Sequence, residues 1–152
     1  PKVRTSLPLE AVIVEPSLAG EELLFRFSVL NEVPELRRLR REIERTLNGT
    51  PAQAIIMPVN LAIDEATQNI ILHAFPEGMT GHIEVVGYIS DGHLNISLTD
   101  TAPLIDLDQV RPRDLDQLRE GGLGTHFILE TTESANWWHD NGKNRLDLTF
   151  KI

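Results

Sequence analysis

The sequence predicts an α+β protein, a two-layer α/β sandwich whose mixed, mostly antiparallel sheet carries helices on one face. Two observations lead to this prediction. Strand-like segments occur in consecutive pairs around short turns, which is typical of antiparallel hairpins. Segments with helical periodicity are interspersed among these pairs, which favours helices layered on a sheet. A length of 152 residues suits one domain, so we expect residues 1–152 to fold together.

The first two strands are predicted near the start of the chain. Residues 9–16 (LEAVIVEP) and residues 23–30 (LLFRFSVL) are rich in β-branched and aromatic side chains. Such residues fit a pleated, half-buried surface better than a helix. We therefore expect the sheet to begin with these two segments.

Two helices follow these strands. Residues 31–50 have Pro34 in the first turn and end at Asn48-Gly49, which are start and stop signals of a helix. The second helix is predicted from about Pro58 to Ala74. The first helix has a stripe of large apolar residues at helical spacing, namely Leu36, Leu39, Ile43 and Leu47.

Two hairpins complete the predicted sheet, and each is centred on a dipeptide that favours a tight turn. Between the hairpins, residues 101–121 are loop-like, and residues 121–133 begin with glycines and then read as a helix. The hairpins are residues 81–90 and 93–100 around Asp91-Gly92, and residues 135–140 and 144–152 around Asn141-Gly142.

The composition narrows the classes of function. The net charge of −9 argues against a nucleic-acid partner, which would require a basic surface. The chain has no cysteine, so disulfides and thiolate metal sites are excluded, which suits the cytoplasm. No apolar run approaches the roughly 20 residues that span a bilayer, and we expect no membrane association. An anion must therefore be bound locally, by backbone N–H groups, a metal or a few arginines.

The second helix carries polar groups beside its apolar side. On a helical wheel, Glu65 and Asn69 lie between the leucines and the alanines. A charged, unpaired carboxylate in an apolar stripe is costly, and such departures from pattern occur mostly at functional sites. The alternative is that Glu65 pairs with a surface lysine or arginine. The predicted apolar arc contains Val59, Ala62, Ile63, Ala66, Ile70, His73 and Ala74, with Leu61 and Leu72 at one side, and the polar face contains Asp64, Thr67 and Gln68.

A second group of residues follows the first hairpin. A strand ends at Asp100, and the chain turns at Pro103. Further along, Gly121, Gly122 and Gly124 precede a predicted helix. Glycines let a backbone approach an anion closely, and the start of a helix offers free N–H donors to phosphate.

The motifs together resemble those of the GHKL ATPase superfamily (Bergerat fold), most closely its anti-sigma-factor serine/threonine kinase branch. LAIDEATQNIILHAF resembles the N box, in which Glu65, Ala66, Asn69 and His73 match. LTDTAPLID resembles the G1 box, EGGLGTHFI resembles the G2 box, and WWHDNGKNRLDLTFKI is similar to the final hairpin. The resemblance covers about residues 23–152 and leaves an N-terminal extension that is partly strand.

The resemblance implies a site for ATP and Mg²⁺. Glu65 would be the catalytic residue, and Asn69 would hold Mg²⁺ and contact the nucleotide. Asp100 would bind the adenine amino group, with Ala102 in the same box. The phosphate contacts would come from Gly122, Gly124, Thr125 and Arg119, with Arg111 and Arg113 as alternatives to Arg119.

The resemblance also implies a function. It predicts a cytoplasmic kinase that phosphorylates an anti-anti-sigma (STAS-type) antagonist and regulates a sigma factor by partner switching, and the family often forms homodimers. A non-catalytic binding module of the same fold is the alternative, because Ala102 replaces the usual glycine and Leu104-Ile105-Asp106 replaces P-F-D. A third alternative is the ATP-binding half of a histidine kinase or of a fused phosphatase regulator, as part of a larger chain. The short loop between Asp100 and Gly121 and the absence of a dimerisation helix pair disfavour a histidine kinase.

Other residues have simpler interpretations. His73 and His126 are expected to pack inside the fold, and the adjacent Trp137 and Trp138 should point to opposite faces of a strand. The arginines of the first helix predict a solvated face with local ion pairs, and docking of an acidic partner is a secondary hypothesis. These arginines are Arg37, Arg38, Arg40, Arg41 and Arg45.

Overall fold

The computed structural model describes residues 21–110 and 128–152. Five strands in this part of the chain form one sheet with the order β1-β2-β3-β5-β4, and all the pairings between them are antiparallel. Helical residues share one apolar core with the sheet. The α+β class is therefore confirmed. The strand predicted at residues 9–16 lies outside the described residues.

The observed elements differ from the predicted ones in two places. The second helix begins at Ile56 and includes Pro58 in its first turn, where a missing N–H costs nothing. A short helix also lies within the predicted loop 101–121, and Asp106 caps it by accepting the N–H of Asp108 at 3.0 Å. The elements are β1 (Glu21–Leu30), α1 (Pro34–Leu47), α2 (Ile56–Asn69), β2 (His82–Ser90), β3 (His93–Asp100), α3 (Leu107–Val110), β4 (Ser134–Asp140) and β5 (Lys143–Lys151).

Both predicted hairpin turns are confirmed. Asp91-Gly92 has φ values of 57° and 73°, and Asn141-Gly142 has φ values of 53° and 78°. A tight two-residue hairpin turn requires positive φ at both of its central residues. Asp-Gly and Asn-Gly adopt this conformation at low energetic cost. These turns place β2 beside β3, and β4 beside β5.

The strands bury alternate residues. In β3 the buried row is completed by Asp100, and in β5 it begins with Asn144. The pairing of β3 with β5 puts these two polar residues directly opposite each other at the end of the sheet. The apolar members of the two rows are Leu94, Ile96 and Leu98, and Leu146, Leu148 and Phe150.

The buried face of α2 differs from the predicted apolar arc at both of its edges. Leu61 and Leu72 are 43% and 57% exposed, so their assignment to the apolar arc is wrong. Thr67, predicted on the polar face, is buried, and its hydroxyl donates to the carbonyl of Ile63. The reason is that α2 packs against α1 as well as against the sheet. Between the two helices, Arg40 of α1 forms an ion pair with Asp64 of α2 at 2.8 Å. The side of α2 toward α1 is thereby covered.

A π-turn (Ile70–Ala74) extends α2 and widens its last turn. Its closing hydrogen bond runs from the N–H of Phe75 to the carbonyl of Ile70 at 3.3 Å, across five residues. Such a turn holds one residue more than a turn of α-helix. Ile70, His73 and Ala74 nevertheless line the cavity together with Ala66 and Asn69.

The two tryptophans lie on opposite faces of β4, as predicted. Trp137 packs against the core, whereas Trp138 is 36% exposed. The indole N–H of Trp138 donates to Asp147 at 2.7 Å, and the Arg145 guanidinium lies 4.9 Å from the ring centroid. Trp138 is thus fixed at the outer surface of the sheet.

The arginines of α1 form the predicted local ion pairs in part. Arg38 contacts Glu35 at 2.7 Å, and Arg45 contacts Glu42 at 2.8 Å, both along the helix. No helix in residues 21–110 and 128–152 is long and apolar enough to cross a membrane.

Candidate functional site

A cavity of about 500 Å³ lies between the end of α2 and the ends of β3 and β5. Its volume is in the range typical of small-molecule sites, and its walls are apolar apart from a few converging polar groups. It is lined by Ala66, Asn69, Ile70, His73, Ala74, Leu98, Asp100, Ile105, Asp106, Ile128, Trp137, Asn144, Arg145 and Leu146.

Asp100 is a buried carboxylate at the inner end of this cavity. It is 4% exposed because it continues the core-facing row of β3. Its Oδ1 accepts two hydrogen bonds, from the backbone N–H of Ala102 at 3.0 Å and from Nδ2 of Asn144 at 2.9 Å. Oδ2 accepts none from residues 21–110 or 128–152. The second oxygen therefore retains its capacity to accept a donor from a ligand.

Two opposing effects act on the Asp100 carboxyl. Burial raises its pKa above the ordinary value, because desolvation disfavours the charged form. The hydrogen bonds from Asn144 and Ala102 act in the other direction. Burial is the larger effect.

Asn144 connects Asp100 to the segment that follows β3. Besides its bond to Asp100, Nδ2 lies 3.0 Å from the carbonyl oxygen of Pro103 and 3.4 Å from that of Ala102. Oδ1 accepts the backbone N–H of Ile105 at 2.9 Å. The side chain is 3% exposed, and both its donor and its acceptor groups are used. Sequence reasoning missed this residue, although it is the polar position in the apolar row of the final hairpin.

Ala102 lies beside Asp100 but is oriented toward the core. It is 4% exposed, belongs to the core cluster and is not among the described residues that line the cavity. Its backbone N–H contributes by orienting the carboxylate of Asp100. The methyl group that distinguishes it from glycine therefore packs within the protein.

Asn69 and Glu65 lie one turn apart on α2 and differ in position relative to the cavity. Asn69 lines the cavity, whereas half-buried Glu65 is outside its described lining. Neither side chain has a hydrogen bond or ion pair with another described residue. The structure thus brings Asn69 and Asp100 to one cavity and leaves Glu65 at its margin.

His73 is an exposed residue that lines the cavity, so the expectation that it packs inside the fold is wrong. The physical reason is that His73 shares a helix face with Ala66, Asn69 and Ile70, and this face borders the cavity at His73 instead of the packed core.

The comparison of sequence families identifies the kind of domain. The profile of the histidine kinase-like ATPase domain matches residues 29–150. The chain belongs to this family. The matched range includes β2, β3, β4 and nearly all of β5, the end of β1, and every residue lining the cavity. The cavity therefore lies within a histidine kinase-like ATPase domain.

Relatives of this ATPase domain include serine-protein kinases. The chain is 30% identical over 95 residues to the serine-protein kinase RsbW of Bacillus cereus, which is 57% of this chain and 59% of that protein. It is 31% identical over 85 residues to RsbW of Bacillus subtilis, which is 50% of this chain and 52% of that protein. The aligned region thus spans little more than half the length of these relatives.

Solved structures share the fold of the ATPase domain. The RsbU and RsbW domains of a Mycobacterium tuberculosis protein superpose with a TM-score of 0.56 at 18% identity, covering 82% of this chain and 32% of that one. The kinase domain of a blue-light activated histidine kinase from Erythrobacter litoralis gives 0.50 at 16% identity, covering 89% and 69%.

The glycine-rich part of the ATPase domain was predicted to contact phosphate. The residues predicted for this role lie outside the described part of the chain, and so does His126, which was predicted to pack inside the fold. The former are Arg111, Arg113, Arg119, Gly121, Gly122, Gly124 and Thr125. The helix expected after the glycines is described at residues 128–131, and buried Ile128 reaches the cavity.

The described residues of the ATPase domain fit an adenine nucleotide with one metal ion. Apolar walls suit a planar base, and the free oxygen of Asp100 suits an amino group. No three His, Asp or Glu side chains cluster as a metal site within residues 21–110 and 128–152. Mg²⁺ is commonly held by one or two protein ligands together with substrate phosphates and water, and the amide oxygen of Asn69 is a suitable hard ligand.

Proposed function

We propose that this protein is an anti-sigma-type serine/threonine kinase in which residues 1–152 form one domain. It would bind ATP with Mg²⁺, phosphorylate an anti-anti-sigma antagonist of the STAS type and so control a sigma factor by partner switching. The observation that carries the proposal is the buried Asp100 in an apolar cavity that also contains Asn69. The family and the serine-protein kinase relatives support it.

The base end of the cavity would select adenine. Oδ2 of Asp100 would accept a hydrogen bond from the exocyclic amino group, and apolar side chains that line the cavity, such as Leu98 and Ile105, would cover the ring. Guanine presents a carbonyl oxygen at the equivalent position, which would meet the carboxylate as a second acceptor. The site would therefore favour ATP over GTP.

The α2 end of the cavity would receive the phosphates. Mg²⁺, when bound, offsets the negative charge of the phosphates. Asn69 would supply its amide oxygen to the metal. The phosphate contacts are assigned to the backbone of Gly122, Gly124 and Thr125 and to the Arg119 guanidinium, on the strength of the G2 resemblance.

Glu65 would act on the protein substrate. As the oxygen of a serine or threonine forms its bond to phosphorus and the bond to the leaving ADP breaks, the Glu65 carboxylate would accept the hydroxyl proton. Its place at the cavity margin, one helical turn before Asn69, suits contact with a hydroxyl that arrives from a partner protein.

A second candidate is a non-catalytic nucleotide- or partner-binding module. One observation favours it, namely the position of Glu65 outside the described cavity lining. A chain that binds ATP without transferring phosphate would have this function.

Calorimetric titration with ATP, with and without Mg²⁺, tests the nucleotide site. We expect Asp100→Asn to weaken binding about a hundredfold, because it removes a charge-assisted hydrogen bond. We expect Asn69→Ala to abolish the enhancement by Mg²⁺ and to leave Mg²⁺-free binding nearly unchanged. Asp91→Asn is the matched control, because it removes the same charge at a hairpin turn away from the cavity and that turn accepts asparagine.

Two outcomes would count against the proposal. Absence of ATP binding at millimolar concentration would overturn the nucleotide site. Magnesium-dependent binding without transfer of labelled phosphate to any STAS-type protein would favour the non-catalytic module.

A further inference from the structure

The side chain of Asn144 forms hydrogen bonds both with Asp100 and with the segment that follows β3. We propose that Asn144 is the positioning residue of the base site, because it occupies Oδ1 of Asp100, fixes residues 102–105 and leaves Oδ2 to select a hydrogen-bond donor on the ligand. This inference rests on the proposed ATP binding and deepens it.

The two carboxylate oxygens of Asp100 have different roles. Oδ1 receives Nδ2 of Asn144 at 2.9 Å and the N–H of Ala102 at 3.0 Å. Two donors on one oxygen fix the rotation of the carboxylate about its side-chain bond. The other oxygen is then presented in one orientation, which is a requirement for reading a single donor on a base.

The same amide holds the polypeptide segment that borders the cavity. Nδ2 lies 3.0 Å from the carbonyl of Pro103, and Oδ1 accepts the N–H of Ile105 at 2.9 Å. Ile105 also lines the cavity. An asparagine has donors and an acceptor on one planar group, so it joins a carboxylate, a carbonyl and an N–H simultaneously, which an alanine cannot do.

Asn144 also favours the charged form of Asp100. Its hydrogen bond opposes the rise in pKa that burial causes. The other charged or titratable groups lining the cavity are His73 on α2, Asp106 after β3 and Arg145 on β5. Arg145 contacts Asp140 and Asp147, so Asn144 supplies the described side-chain donor to Asp100.

The test compares Asn144→Ala with Asn95→Ala over a range of pH. Asn95 is the matched control because it also links β3 to β5, through the hydroxyl of Thr149 at 3.3 Å, but lies outside the cavity lining. ADP and GDP are titrated into each variant and into the unmodified chain. We expect Asn144→Ala to bind ADP about tenfold more weakly at neutral pH and to lose most of its preference for ADP over GDP.

On acidification, ADP affinity should begin to fall at a higher pH in Asn144→Ala, because the Asp100 carboxylate takes up a proton more readily. Asn95→Ala should change neither this pH dependence nor the preference for ADP over GDP. A folded Asn144→Ala protein with an unchanged pH dependence and an unchanged preference for ADP would overturn the proposal, because a merely structural asparagine would lower stability alone.

A measurement without nucleotide separates this inference from the proposed function. The ¹³C shift of the Asp100 carboxyl, followed against pH, should titrate at higher pH in Asn144→Ala, and the Ile105 amide should exchange faster with solvent. If the unmodified chain binds no nucleotide, the proposed function fails, while an unchanged carboxyl titration separately overturns the role of Asn144. Asn144→Val replaces the alanine variant if the latter does not fold, with the same expectations, because valine has no hydrogen-bonding group and continues the apolar row of β5.

Discussion

The two ends of the cavity differ in how their polar groups are held. At the base end, Asp100 and Asn144 are almost fully buried and bond to each other and to the neighbouring backbone. At the α2 end, Asn69 and His73 line the cavity, and Glu65 lies one helical turn before Asn69. The side chains of these three residues form no hydrogen bond or ion pair with another described residue. Folding alone therefore sets the geometry of the first group, whereas a bound ligand or partner would have to set the geometry of the second.

Because of this difference, we expect the base end to determine nucleotide affinity and the α2 end to determine the rate of phosphate transfer. A prearranged base end requires no reordering when a nucleotide binds, so it is suited to supply binding energy and selectivity. The α2 end is suited to acquire its final geometry when metal, phosphate and protein substrate come together. Substitutions at the two ends should consequently change different measured quantities.

The largest expected effect is at the α2 end, in Glu65→Gln. The amide has the shape of the carboxylate but is a poor proton acceptor, so the rate of phosphate transfer should fall by about 10²–10⁴-fold. ATP affinity should change by less than about threefold, as measured by calorimetry beside a single-turnover transfer assay. Equal losses in affinity and rate would show that Glu65 belongs to the binding site and would remove the distinction between the two ends.

An intermediate effect is expected at the base end, on stability. Burial raises the folded-state pKa of Asp100 above its ordinary value of 3.8. The stability that this group contributes is therefore fully present below pH 3.8 and is lost as pH rises through the folded pKa. Asp100→Asn should remove this loss and raise the free energy of unfolding at neutral pH, although it weakens ATP binding.

Urea unfolding at several pH values measures the change in Asp100→Asn. The gain over the unmodified chain should shrink as the pH falls toward 4. A variant that is less stable than the unmodified chain at every pH would show that the negative charge on Asp100 holds the site together, contrary to the expected cost of burial.

The smallest effect is expected where α1 meets α2. Arg40 and Asp64 form an ion pair at 2.8 Å with side chains 46% and 21% exposed, and such pairs contribute at most about 1 kcal/mol. Arg40→Ala should lower the free energy of unfolding by less than that amount and leave ATP affinity unchanged. Arg37→Ala is the control, since Arg37 has no ion pair with any residue of the described chain. A large drop in transfer rate in Arg40→Ala alone would show that α1 constrains the α2 end.

The fold was predictable because its signals are local. Alternating apolar residues and the Asp91-Gly92 and Asn141-Gly142 turns determine hairpins from a few neighbouring residues, and the resemblance covered most of the chain. The shape of the α2 surface was less predictable, since Thr67 is buried on a helix that packs against α1 as well as against the sheet. His73 lies on the face that the wheel assigns to it, but that face borders the cavity instead of the packed core.

Sequence analysis selected two residues that line the same cavity, but it did not predict the contacts that hold them. Asp100 and Asn69 were assigned from motifs, and the structure brings both to one cavity. Asn144 was missed because its importance arises from pairing between β3 and β5, whose partners are 44 residues apart in the chain. Strand alternation contained a signal, since an asparagine interrupts the apolar row that continues with Leu146 and Leu148.

The π-turn at Ile70–Ala74 also bears on the length of the chain. Its closing bond joins the N–H of Phe75 to the carbonyl of Ile70 across five residues, so the turn holds one residue more than a turn of α-helix. If one residue between them were deleted, Phe75 would stand four residues after Ile70, and the same two groups would close a regular α-helical turn. Phe75 would then keep its buried position. The loss of one residue should therefore be tolerated better here than in the regular part of α2, so we expect homologous chains to differ in length at this turn.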